Sequence, residues 1–190
     1  MKKVYLLGDS IMHIGYGTIL PSVLGEAYEV HRPDVNCRFA KFTYRSLYDW
    51  QEDMDGTDIV HWNNGLWDAI CNRPDPMPVS SPEEYCETMV RIARYLLSKY
   101  KVVIFATTTP VRVTHPDLTT ERIREYNAMV VPKLKELGVL INDLHAVVAT
   151  DIDRYIREDD NIHLTEDGIA VCAEQVAKAI REASPFLNPL

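Results

Sequence analysis

Residues at the two ends of the chain could together do nucleophilic chemistry. Near the amino terminus the apolar run Val4-Tyr5-Leu6-Leu7 stops at Gly8-Asp9-Ser10. A hydroxyl at the end of a buried strand is a candidate nucleophile, because open α/β sheets bind ligands at the carboxyl edge of their strands. Towards the other end, Asp160-Asn161-Ile162-His163 offers a base and its orienter. At this spacing in a turn, a carboxylate can accept the Nδ1 proton and leave Nε2 facing outward. A serine, a histidine and an aspartate, with donors for a developing oxyanion, are the set that acyl transfer requires. Each signal also has a plainer reading. Asp9-Ser10 could only cap the next helix, and Asp160 lies among Asp153, Glu158 and Asp159 in a loop that could simply be solvated.

The elements between must bring these ends together. Short apolar runs predict five strands: Val4–Leu7, Val35–Phe39, Thr57–Trp62, Lys101–Thr107 and Val139–Ile141. Helical periodicity predicts helices from about Thr18 to Val30, Tyr44 to Asp53, Ser81 onward, Thr119 to Leu137, and after Thr165. Ser81-Pro82-Glu83-Glu84 reads as a capping box, and Pro132 as a kink. Strands alternating with helices predict a three-layer α/β/α sandwich around a five-stranded parallel sheet, flavodoxin-like, in one domain over residues 1–190. The polar residues that follow each strand then gather at one edge: Asp9-Ser10, Lys41-Phe42-Thr43, Asn63-Asn64, Thr107 to Pro110, and Asn142-Asp143.

Composition narrows the partners. A 190-residue chain with 46% hydrophobic and 25% charged residues can bury a proper core. Its net charge of -8, without a basic cluster, excludes nucleic acid as an expected ligand. Four apolar residues before Gly8 are too few for a signal peptide, and no run approaches the roughly 18 residues of a membrane span. The expectation is a cytoplasmic protein without a membrane partner. Cys37, Cys71, Cys86 and Cys172 form no Cys-x-x-Cys pair and are expected as free thiols. No metal-ligand spacing is present, so no metal or other cofactor is expected.

Gly8-Asp9-Ser10 near the start, with Asp160-x-x-His163 just before the last helix, resembles the SGNH (GDSL-type) hydrolase superfamily. The similarity covers most of the chain, with weaker matches at Pro110, Tyr126-Asn127 and Asp143. It implies the SGNH hydrolase fold, with Ser10 as nucleophile, His163 as base and Asp160 as its orienter. It also implies an oxyanion hole built from the serine's own amide, a glycine amide after the second strand and an asparagine side chain after the third. Two departures mark an atypical subgroup. Asn36-Cys37-Arg38-Phe39-Ala40-Lys41-Phe42-Thr43 follows the family's Asn-x-Gly-x-x-Gly-x-Thr pattern with Arg38 and Lys41 in place of the glycines. The Lys41 amide can still donate if its backbone suits a non-glycine residue, and its side chain would either charge the pocket or be solvated. After the third strand, the family's Gly-x-Asn-Asp becomes Asn63-Asn64-Gly65-Leu66, where either asparagine could donate, Asn63 directly off the strand end; a plain turn is the alternative.

The resemblance implies a carboxylic ester hydrolase acting on a small acyl group, such as O-acetyl on a carbohydrate. Lysophospholipid, thioester and aryl ester substrates stay open, as does a binding module with an impaired hole. A phospho-receiver would need paired acids after the first strand, an aspartate ending the third and a lysine ending the fifth, where this chain has lone Asp9, Asn63 and Asn142. A flavin binder would need a Ser/Thr/Gly phosphate loop after the first strand, which is absent. His13, Arg45, Trp67, Arg112 and His115 lie in or near loops at the active edge and are candidate substrate contacts, or ordinary surface residues. His61, within the third strand, reads as a hydrogen-bonded core residue.

Overall fold

A computed structural model describes residues 1–187. Five parallel strands, β1 (Lys2–Leu7), β2 (Tyr28–His31), β3 (Ile59–Trp62), β4 (Val102–Ala106) and β5 (Leu140–Asn142), form one sheet in the order β2-β1-β3-β4-β5. The interior strands are apolar on both faces because helices cover both. All of β3 and β4, and Val4 to Leu7 of β1, are buried. One helical layer holds α2 (Ala40–Ser46), α3 (Leu66–Ala69), α4 (Pro82–Lys99) and α5 (Thr120–Glu136). The other holds α1 (Leu20–Leu24), α6 (Leu144–Ala149), α7 (Ile152–Tyr155) and α8 (Glu166–Ala183). This is the three-layer, flavodoxin-like sandwich.

Capping sets the long helices. Ser81 and Glu84 form the expected capping box at α4, and Thr119 and Thr165 accept from the third residue on at α5 and α8. The three helices turn apolar stripes inward, among them Tyr85, Met89 and Ile92, then Ile123, Tyr126 and Val130, then Cys172, Val176 and Ile180. α5 runs unbroken through Pro132, which is exposed. All four cysteines are free and buried.

The first third of the chain departs from the sequence reading. The expected helix from Thr18 to Val30 is only the five-residue α1 followed by the edge strand β2, and a π-turn (Ile11–Gly15) and a 3-10 turn (Tyr16–Thr18) precede it. Gly25, at φ 76°, ends α1, and Tyr28 to His31 pair with Lys2 to Tyr5. Residues 35–39, expected as the second strand, instead form an extended loop. Arg38 at φ 51° breaks any ladder there, leaving one strand-like bond from the Cys37 amide to Gly8 O, 2.9 Å. Helix α2 therefore starts four residues before the expected Tyr44.

β1 and β3 lie side by side in the middle of the sheet, where the strand order reverses. Outside the carboxyl ends of two such strands lies the crevice in which doubly wound sheets hold ligands. Their register pairs Leu7 with Trp62, so the Gly8-Asp9-Ser10 turn leaves the sheet directly beside Asn63.

Candidate active site

Ser10 stands one turn beyond β1. Gly8 is required there by close approach: an added Cβ would lie 2.0 Å from Asn63 Oδ1 and 2.6 Å from Met12 Cβ. The Asp9 carbonyl accepts from the amides of Met12 and His13, and Asp9 Oδ1 from that of Ile11 at 3.0 Å. Asp9, not Ser10, thus holds the turn: the serine side chain makes no capping bond. Asp9 is fully buried, and burial raises its carboxyl to about 6 against the pull of the Asn63 and Ile11 hydrogen bonds.

The Ser10 hydroxyl meets His163 Nε2 at 2.9 Å, and His163 Nδ1 meets Asp160 Oδ2 at 2.9 Å. Asp160 Oδ1 also accepts from the backbone amides of Ile162 and His163, at 3.1 and 2.9 Å. Burial alone would raise this carboxyl, but the His163 and Ile162 amides and the imidazole bring it down to about 2. It therefore stays a carboxylate and fixes the imidazole with its proton on Nδ1 and a lone pair toward Ser10.

The loop is pinned from several sides. The Arg157 amide donates to His163 O, the Thr165 amide to Tyr155 O, and the Arg112 amide to Asn161 O. Gly168, in the first turn of α8, allows that helix to lie against Tyr155 O, where a Cβ would come within 2.2 Å. The acidic neighbours face outward: Asp159 pairs with Arg157, and Asp153 with Arg112.

The two asparagines after β3 hold different loops. Asn64 is fully buried; its Nδ2 donates to Arg38 O at 2.8 Å and its Oδ1 accepts from Trp62 Nε1 at 2.8 Å. It braces the Arg38 loop, and its second Nδ2 N–H has no acceptor among the described residues. Asn63 lies against Gly8 and Asp9. Its Oδ1 accepts from Tyr16 at 3.1 Å and one N–H of Nδ2 donates to Asp9 Oδ1 at 2.9 Å, leaving the second N–H without an acceptor among the described residues.

Arg38 takes the left-handed backbone that favours glycine. Lys41 has no such backbone. Its amide lies in the first turn of α2, where no intrahelical carbonyl is available. The neighbouring Ala40 amide is held by both oxygens of buried Asp68, at 3.2 and 3.0 Å. The Lys41 ammonium is solvated and pairs with Glu84.

A cleft of about 500 Å³ opens onto Ser10 and His163. Phe39, Leu66, Ile70, Val79 and Ile162 make its apolar wall, Asn36, Asn72 and His115 its polar points, and Trp67 a ring that is 42% exposed. The structure thus brings Ser10, His163, Trp67 and His115 to one cleft. It corrects three other expectations. Arg45 lies among Tyr44, Tyr48 and Tyr95 in a separate groove and pairs with Asp49. Arg112 braces the histidine loop through Asp153 and Ile156 O. His13 is outside the cleft lining, and its Nδ1 is buried without a partner. The apolar wall was missed from the sequence because residues facing a cleft are of the same types as residues facing a core. Asn36 and Asn72 carried no signal beyond loop composition. Among the described residues, no three His, Cys, Asp or Glu gather where they could hold a metal ion, and no helix is long and apolar enough to cross a membrane.

No protein-family model matches the chain, and no curated protein matches its sequence. Solved structures match throughout. An acetyl xylan esterase (AlAXEase) is 19% identical with a TM-score of 0.75, covering 95% of this chain and 98% of its own. A lipase/acylhydrolase from Enterococcus faecalis is 17% identical with a TM-score of 0.78, over 96% of both chains. A carbohydrate acetylesterase from Sinorhizobium meliloti is 14% identical with a TM-score of 0.77, over 96% of this chain and 99% of that one. The shared feature is the fold. At these identities the similarity extends to the sandwich and its strand order, and the chemistry rests on the residues themselves.

Proposed function

We propose that the protein is a serine esterase of the SGNH hydrolase type. The observation that carries this reading is the unbroken chain from Asp160 through His163 to Ser10, both links 2.9 Å, ending at the mouth of a cleft. In the proposed reaction Ser10 Oγ attacks the ester carbonyl carbon as its proton passes to His163 Nε2. The tetrahedral oxyanion accepts from the Ser10 and Lys41 amides and the free N–H of Asn63 Nδ2. Collapse breaks the C–O bond to the alcohol, which leaves with the proton from His163. Water, deprotonated by His163, then attacks the acyl-enzyme, and the acid departs as Ser10 regains its proton.

The substrate proposed is a small acyl ester, such as O-acetyl, on a carbohydrate. Trp67 offers a ring for a sugar face at the rim, and Asn36, Asn72 and His115 offer hydroxyl partners. Two structural neighbours are named as an acetyl xylan esterase and a carbohydrate acetylesterase, which supports this choice. The apolar wall favours aryl esters as a second reading, and a further neighbour of the same fold is an aryl esterase from M. smegmatis.

A fluorophosphonate should form a single adduct on Ser10. Ser10→Ala and His163→Ala should each lower kcat for aryl acetate by about 10⁴-fold or more. Equal turnover by all three proteins, with no adduct, would end the esterase reading. Release of acetate from acetylated xylo-oligosaccharides, set against an aryl ester series of rising acyl length, separates the two substrate classes.

A further inference from the structure

Behind Asn63 lies a run of buried polar side chains that the proposed reaction leaves unused. Tyr16 Oη is 3.1 Å from Asn63 Oδ1 and 3.5 Å from His61 Nδ1. His61 Nε2 is 3.1 Å from Asn142 Nδ2, and Asn142 Oδ1 is 3.0 Å from Gln175 Nε2. Tyr16, His61 and Asn142 are wholly or almost wholly buried. The run crosses under the sheet's carboxyl edge from α8, through the ends of β5 and β3, to the turn carrying Ser10. Removed from water, such groups persist only if each is matched by a partner.

The direction of every bond follows from its last member. Asp9 Oδ1 accepts from the Ile11 amide and from Asn63, so Asn63 Nδ2 donates and its Oδ1 must accept. Only the Tyr16 hydroxyl proton is there to be accepted, so Tyr16 oxygen in turn accepts from His61 Nδ1–H. His61 Nε2 then carries the lone pair that receives Asn142 Nδ2–H, and Asn142 Oδ1 receives Gln175. Burial holds His61 down to about 3, which keeps the ring neutral, as this order demands. One orientation of the Asn63 amide is therefore selected: Oδ1 toward Tyr16, one N–H on Asp9, and one N–H left over. Donation to an amide oxygen also strengthens that amide as a donor.

We propose that Tyr16, oriented by His61 and Asn142, is a positioning residue that locks the Asn63 amide with its spare N–H directed at the oxyanion. This rests on the esterase reading and on Asn63 as a donor. Tyr16→Phe keeps the ring and removes the proton that fixes Asn63. It should lower kcat for an aryl acetate about tenfold, as expected for one lost hydrogen bond, with KM within about twofold. In an Asn63→Ala background the same substitution should cost nothing further, because Tyr16 acts only through Asn63.

Wild-type kcat in Tyr16→Phe, or an equal loss in both backgrounds, would overturn the proposal. If Tyr16→Phe does not fold, His61→Gln, which can still donate to Tyr16, should retain more of kcat than His61→Leu; equal values would also overturn it. Without any ester present, the Asn63 side-chain amide protons, followed by NMR, should exchange with solvent faster in Tyr16→Phe, and unchanged exchange would count against the lock. Loss of the esterase reading has its own signature: turnover that survives Ser10→Ala. Turnover that depends on Ser10 but ignores Tyr16 removes this inference alone.

Discussion

The buried carboxyl of Asp9 ties the geometry of the Ser10 turn to the proton balance of folding. Its folded-state value of about 6 lies above the ordinary 3.8, so the native state binds that proton more tightly than the unfolded chain. Its contribution to stability is fully present below pH 3.8 and is lost as pH rises through about 6. Asp68, also raised to about 6 by burial, acts with the same sign. Asp160 is opposite: at about 2 its contribution is present above 3.8 and lost as pH falls through 2. Asp9→Asn keeps an acceptor for Ile11 and removes the titration. Urea unfolding between pH 4 and 7 should show a decline shallower than that of wild type by up to roughly 2–3 kcal/mol. Parallel pH profiles in the two proteins would show that Asp9 does not titrate in this window. Gly8→Ala, by contrast, forces a methyl against Asn63 and Met12, and should cost about 1–3 kcal/mol in the same assay.

At the scale of elements, the site depends on how α2 begins. The carboxylate of Asp68 holds the Ala40 amide with both oxygens and takes the Ser80 hydroxyl at 3.0 Å, so one buried group joins α2, α3 and the segment entering α4. Asp68→Ala should lower the unfolding free energy by about 2–3 kcal/mol, since it leaves buried donors unmatched. It should also slow Ser10 phosphonylation by the fluorophosphonate by loosening the Lys41 amide; a stability loss with an unaltered labelling rate would separate the two effects. β1, β3, β4 and the caps at Ser81 and Thr165 were legible in the sequence, because interior parallel strands are unbroken apolar runs and caps have their own chemistry. β2 was not, since Tyr28-Glu29-Val30-His31 at a sheet edge is only half covered and continues a helical pattern across Gly25. The choice between Asn63 and Asn64 was equally hidden. The pairing of Leu7 with Trp62 sets Asn63 beside the Gly8-Asp9-Ser10 turn, and register between distant strands leaves no trace in local sequence.

For the molecule as a whole, the net charge of -8 bears on which esters arrive. A neutral acetylated sugar meets no long-range barrier, whereas an ester on an acidic sugar is repelled until salt screens the field. kcat/KM for an anionic ester should therefore rise between about 10 and 200 mM salt, while that for a neutral one stays flat. The same rise for both substrates would place the salt effect on the protein instead. Ser10 and His163 stand 153 residues apart in sequence, with hydroxyl and imidazole 2.9 Å apart in space. Such a pairing closes only when the two ends of the chain have met, so no fragment ending short of His163 can assemble it. Attachment of the fluorophosphonate to Ser10 is thereby a timer: followed during refolding, or on chains still emerging from the ribosome, it would mark the moment the two ends of the chain meet.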